Sequence, residues 1–151
     1  MTDVTAYLAE IELALVSSPI LREYDIVRSW AHTEDGYLRL RGVLINGDFI
    51  EAAEYFAVQG DHVATVDYRH QWMSGDQTEL LGRWDSTPDH PELAGFPYHV
   101  HVGAEKTVQP DRPRSLLEIL DLLEDEMTTL PEWPSRGSEP DAVTPVRLAG
   151  G

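Results

Sequence analysis

The sequence predicts an α+β fold: an antiparallel meander of about five or six strands, with an N-terminal and a C-terminal helix packed on one face. Three observations predict it. Helical periodicity appears near both ends of the first 130 residues, strand-like runs fill the middle, and the breaks between those runs carry glycine beside Asp or Asn. Such pairs tolerate the backbone of tight hairpin turns, so consecutive strands pair as neighbours.

The first element runs from Val4 to Val16, where Val4, Tyr7, Leu8, Ile11 and Leu15 recur at helical spacing. Thr2 or Asp3 is placed to cap it, and Ser17-Ser18-Pro19 ends it because proline supplies no backbone donor. Five runs then read as strands: Leu21–His32, Tyr37–Asn46, Asp48–Gln59, His62–Met73 and Thr78–Asp85. The turns between them are expected at Glu34-Asp35-Gly36, Asn46-Gly47-Asp48, Gly60-Asp61 and Ser74-Gly75-Asp76. Asn46-Gly47 is the strongest of these signals.

A stretch with Pro88, Pro91 and Pro97 follows, too rich in proline for a central strand and long enough to suggest a functional loop. Tyr98–Val102 returns to alternation, with His99 and His101 on one face and Val100 and Val102 on the other. Pro113 and Ser115 then open a second helix. Glu118 completes a capping box with Ser115, and Leu116, Leu117, Leu120, Leu123 and Met127 form the apolar stripe. Residues 1–130 are expected to be one domain, and the Pro/Gly-rich residues 131–151 a flexible tail.

The chain of 151 residues has no cysteine, which excludes thiolate catalysis, disulfides and Cys-based zinc sites. Its 27 acidic residues against 11 basic ones give a net charge of −16. That charge repels phosphate backbones at long range and argues against a general nucleic-acid surface, although it also suits solvation in a salty interior. The N-terminal run lacks a basic leader, and no stretch approaches the length of a spanning segment. The expected location is cytoplasmic, with no membrane partner.

Four of the six histidines, His70, His90, His99 and His101, fall in the late-strand region. Two imidazoles on one strand face can share a metal or act as base and acid, since histidine titrates near neutrality. The same spacing equally describes the solvent side of an edge strand with Val100 and Val102 turned inward. Asp85, Asp89 and Glu92 are near enough in sequence to orient an imidazole or add an oxygen ligand. Arg83 is a candidate phosphate clamp, with a cross-strand ion pair as the commoner role for a lone arginine among acids. Glu54, Tyr68 and His70 on the neighbouring strands are candidate substrate contacts. Phosphate-binding loops, nucleophile elbows and H-E-x-x-H are all missing.

A series of motifs in unbroken order from Tyr37 to Met127 resembles the TumE toxin family. These are E-x-x-E-Y (Glu51 to Tyr55), Y-x-H (Tyr68 to His70), R-W-D (Arg83 to Asp85), P-D-H-P-E (Pro88 to Glu92) and F-P-Y-H-V-H-V-G (Phe96 to Gly103), closed by a leucine-rich helix. The chain departs from the family's pattern at three positions: Trp84 stands for a tyrosine, and Asp89 and Tyr98 stand for histidines. The resemblance implies the toxin of a type II toxin–antitoxin pair, with a cognate antitoxin protein and RNA as partners. On that reading His99, His101, His90, Arg83 and Asp85 are catalytic in a ribonuclease-like site, without a cofactor. The competing expectations are a non-catalytic protein-binding module with a structural histidine pair, and a metal-dependent hydrolase using His90, His99, His101 and Asp85.

Overall fold

The computed structural model describes residues 3–128. Helix α1 (Val4–Ser17) is followed by strands β1 (Leu21–Ala31), β2 (Asp35–Leu44), β3 (Phe49–Gln59), β4 (His62–Met73), β5 (Leu80–Asp85), β6 (His99–Val102) and β7 (Val108–Pro110), then helix α2 (Leu116–Thr128). The strands form one antiparallel sheet in sequence order. The α+β meander is therefore as the sequence predicts, with one strand more. The three residues of β7 are too few to show a period, and they become a strand because the chain after β6 turns back onto it.

Both helices lie on one face of the sheet. Asp3 caps α1, its carboxylate accepting from the Thr5 amide at 2.9 Å, and the buried residues Val4, Tyr7, Ile11 and Leu15 are four of the five in the expected stripe. The capping box of α2 forms as read: the Glu118 amide donates to Ser115 Oγ at 3.1 Å, and the Ser115 amide to Glu118 Oε1 at 3.0 Å. Leu116, Ile119, Leu120 and Leu123 are the buried stripe, with Ile119 a fully buried member absent from the expected set. These side chains close over Leu38, Leu40, Ile50, Ala52, Phe56, Trp72 and Trp84, and each large one adds about 2 kcal/mol by leaving water.

Two glycines turn out to serve different ends. Gly47 takes φ +93° in the β2–β3 hairpin, as the Asn46-Gly47 signal implies. The expected turn at Glu34-Asp35-Gly36 instead closes at residues 32–34, where the His32 amide donates to the Asp35 carbonyl at 2.7 Å, and β2 begins at Asp35. Gly36 is glycine because a Cβ there would lie 2.4 Å from the Phe56 ring, so its job is close packing rather than turning. The flexible tail expected at residues 131–151, and Thr2 as an alternative cap, lie outside the described residues.

Candidate active site

The side of the sheet away from the helices carries a polar array set by register. Residues paired across antiparallel strands share a face. Asp85 pairs with His99 and with Arg69, and Arg83 pairs with His101 and with Gln71, so these six side chains stand together. Val100, opposite Trp84, and Val102 point to the helix side. The strand β6 is not an edge, because β7 covers it, and His99 and His101 are buried.

Residues 86–98 form the proline-framed loop and bring His90 over the pair. The ring of His90 is 4.9 Å from that of His99 and 5.8 Å from that of His101, and the latter two are 5.0 Å apart, all edge to face. Each of the three offers a nitrogen within 4.8 Å of the other two. His99 Nδ1 lies 2.9 Å from the Pro97 carbonyl, and His101 Nδ1 lies 2.7 Å from the Glu105 carbonyl. A carbonyl oxygen can only accept, so both Nδ1 atoms carry hydrogen. Nε2 is the nitrogen that each ring leaves for another partner.

Asp85 organises the centre. One oxygen accepts from the Thr87 amide and hydroxyl at 2.9 and 2.6 Å, while the other stands 3.7 Å from Arg83 Nε, 3.8 Å from Arg69 Nε and 3.9 Å from His99 Nε2. Arg83 Nε and His99 Nε2 are buried and have no hydrogen-bond partner among the described residues. Buried polar atoms left so are uncommon in folded proteins. The Arg83 guanidinium also pairs with Glu105 at 2.5 Å and holds that carboxyl below its ordinary range. Burial, reinforced by the positive charge of Arg83, pushes the His101 imidazole below its ordinary value despite the opposing bond to the Glu105 carbonyl.

His90, His99, His101, Arg83 and Asp85 are thus brought together. Glu54, Tyr68 and His70 are not: all three face the helices. Glu54 is fully buried and accepts from Tyr7 Oη, Thr65 Oγ1 and the Leu116 amide at 2.7, 2.7 and 2.8 Å, which places a carboxyl at the N-terminal end of α2. Desolvation raises its pKa. Tyr68 Oη donates to the Arg112 carbonyl at 3.1 Å and His70 Nε2 to the Arg114 carbonyl at 2.9 Å, so both tie down the chain entering α2.

Arg69 and Glu105 belong to the site, and neither stands out in the sequence. Arg69, its side chain 58 % exposed, reaches Asp85 only through the β4–β5 register, and the one available signal was its alternation with Tyr68 and His70. Glu105 holds Arg83 with its side chain and His101 with its backbone.

A family model described as Toxin TumE matches residues 11–130. No curated protein and no solved structure matches the chain. No helix among the described residues is long and apolar enough to cross a membrane.

Proposed function

Because the chain belongs to the TumE toxin family and its role is that of a toxin, we propose that it acts by cleaving RNA at the histidine centre and is restrained by a cognate antitoxin protein. The observation that carries this reading is the convergence of His90, His99 and His101, with the Nδ1 atoms of the strand pair pinned by carbonyls. In the reaction, the ribose 2′-oxygen attacks the adjacent phosphorus and the 5′-oxygen leaves. His101, held neutral, takes the 2′ proton at Nε2. His99, beside Asp85, suits the acid that protonates the departing 5′-oxygen. The products are a 2′,3′-cyclic phosphate and a 5′-hydroxyl. Arg69 is the exposed cation for the phosphate, and Arg83 positions Glu105 and Asp85 around the rings.

The departures from the family pattern leave this centre whole. Tyr98 is one residue from His99 and stacks on Tyr68, ring planes 10° apart, on the helix side. Trp84 is buried on that same side. Asp89 is an exposed loop residue. None of the three replaces a member of the His90, His99, His101 set.

A second reading has its own observation. The tautomer set by the two carbonyls is also the one a metal-binding imidazole needs, and three such nitrogens within 4.8 Å of one another match a His-rich divalent site. One experiment separates the readings. Protein purified without a histidine tag is assayed for metal and incubated with cellular RNA, with and without chelator. Cleavage indifferent to chelator, leaving cyclic phosphate ends and lost in His99→Ala and His101→Ala, is the expected result. Stoichiometric zinc or manganese with chelator-sensitive cleavage establishes the metal site instead. Intact RNA, with toxicity surviving both substitutions, overturns the histidine centre altogether.

A further inference from the structure

Beyond the histidines, the same sheet face holds an ordered array that extends from the reacting groups across β4, β3, β2 and β1, where the reaction uses none of it but Arg69. Following register pairs across the sheet, one row reads Arg28, Arg39, Ala53, Arg69, Asp85, His99. The row one step along the strands reads Trp30, Tyr37, Tyr55, Asp67. Strands are ~4.8 Å apart and alternate residues ~7 Å apart, so arginines spread over about 14 Å from β1 to β4 lie beside aromatics that cover about 10 Å from β1 to β3, and the row as a whole reaches His99 about 24 Å from Arg28. Trp30 lies over this face with ring centroids 6.1 Å from Tyr37 and 6.3 Å from Tyr55.

Local contacts account for part of this pattern: Trp30 stacks on His32 with ring centroids 4.6 Å apart, Tyr55 Oη donates to Asp35, and Arg41 and Arg69 pair with Glu51 and Asp85. Arg28 and Arg39 are directly opposed like charges, an unfavourable cross-strand pair. Arg39 pairs with Glu51, but Arg28 is exposed and has no ion-pair partner among the described residues. Arg28, Arg39, Arg41, Arg69 and Arg83, five of the eleven basic residues of a chain with net charge −16, share this one face. Acidic neighbours including Glu51, Asp67 and Asp85 bring it near balance, so that this face is less repulsive to phosphate than the chain as a whole once salt screens the more distant acids. Ala53 lies between Arg39 and Arg69 and floors two adjoining concavities that reach from Tyr37 to Thr87 and Pro88, where the loop bearing His90 begins.

We propose that this open face is the seat of a single-stranded RNA, with phosphates along Arg28, Arg39 and Arg69 and bases stacked on Trp30, Tyr37 and Tyr55, delivering the strand to the histidines. Guanidinium groups fit phosphates, and half-buried aromatic rings take unpaired bases without regard to sequence. A duplex hides its base faces, so the array selects single strands. The proposal rests on reading the histidine centre as an RNA-cleaving site.

The test is binding of a fluorescent twelve-nucleotide 2′-O-methyl strand to the full chain, followed by anisotropy at several salt concentrations. The methyl group blocks the 2′-oxygen attack, so binding is read apart from cleavage. Trp30→Ala weakens binding about ten-fold with little change in salt slope, as expected for loss of a stacked base. Arg28→Ala with Arg39→Ala weakens it and lowers the slope by about 0.7 for each phosphate that is no longer neutralised. A duplex of the same sequence competes poorly. Thermal melts confirm that the variants fold. If they bind as well as the wild type while the wild type cleaves RNA, the strand lies elsewhere and only this proposal fails. If they lose antitoxin capture but not RNA, the face is a protein interface and the proposal is overturned. If the wild type neither binds nor cleaves RNA, the histidine reading falls and takes this one with it.

Discussion

The two faces of the sheet bury polar side chains to opposite ends. Under the helices, Glu54 receives three hydrogen bonds, Tyr68 reaches Arg112 and His70 reaches Arg114, all fastening the start of α2 to β3 and β4. His70 Nδ1 is the exception on that side. On the other face, Asp85 holds Arg83 and His99 near but not in hydrogen-bonding contact, and the pinned rings of His99 and His101 keep Nε2 for other partners. Burial alone therefore does not separate a structural histidine from those of the candidate site. What separates them is company: His99 and His101 stand with His90, Asp85 and Arg83, whereas His70 lies against Tyr68 and the Arg114 carbonyl.

The sharpest way to break this division is to remove one histidine from each face. His101→Ala is expected to lower RNA cleavage by at least about 100-fold while the protein stays folded, as measured by single-turnover assays beside circular dichroism. His70→Gln should do the reverse, lowering stability while the folded fraction still cleaves. Equal losses of cleavage in the two would show that the faces do not differ in kind.

Next in size is Glu54→Ala. It strands Tyr7 Oη, Thr65 Oγ1 and the Leu116 amide in the interior, and urea unfolding should show a loss of about 3–5 kcal/mol. A loss below 1 kcal/mol would mean that water replaces the carboxylate and that α2 is held by packing alone.

The pH dependence is smaller, and on the helix face it has two contributions of opposite sign. His70 is pushed down to about 4 by burial, so between the ordinary value of 6.5 and 4 the unfolded chain binds a proton that the folded chain does not. Stability contributed by the neutral ring is full above 6.5 and falls as pH drops through that window, by about 3 kcal/mol. Glu54, raised by burial, acts in the opposite sense above its ordinary 4.5, so the wild-type minus His70→Gln difference isolates the histidine. On the other face, if His101 is the base as proposed, its lowered pKa is expected to put the acid limb of the cleavage profile below 6.5, since a base works unprotonated. An acid limb above that value would assign the base elsewhere.

The smallest effect is expected at the rim. The Glu105 side chain is 69 % exposed, so Glu105→Ala should change stability by less than about 1 kcal/mol, although it frees the Arg83 guanidinium. Cleavage should fall through a raised KM or reduced kcat that Glu105→Gln partly restores. Unchanged kinetics would remove Arg83 from the positioning role.

Local periodicity sufficed for most of the fold. The stripe of α1, the capping box of α2, the meander order and the opposite faces of His99 and Val100 are readable because helix and strand repeats are written within a few residues. Gly36 misled because a turn glycine and a close-packing glycine look alike until Phe56 is in place. The grouping of His99 with His101 was likewise legible, and so was the likeness to the TumE family that the match over residues 11–130 bears out. Only the tertiary structure decided that His90 closes on that pair, that Arg69 and Glu105 join it, and that Glu54, Tyr68 and His70 turn the other way. The reason is register. A strand displaced by one residue presents its other face, and displacements such as the bulge between Tyr55 and Phe56 depend on packing across the sheet, which no single segment encodes.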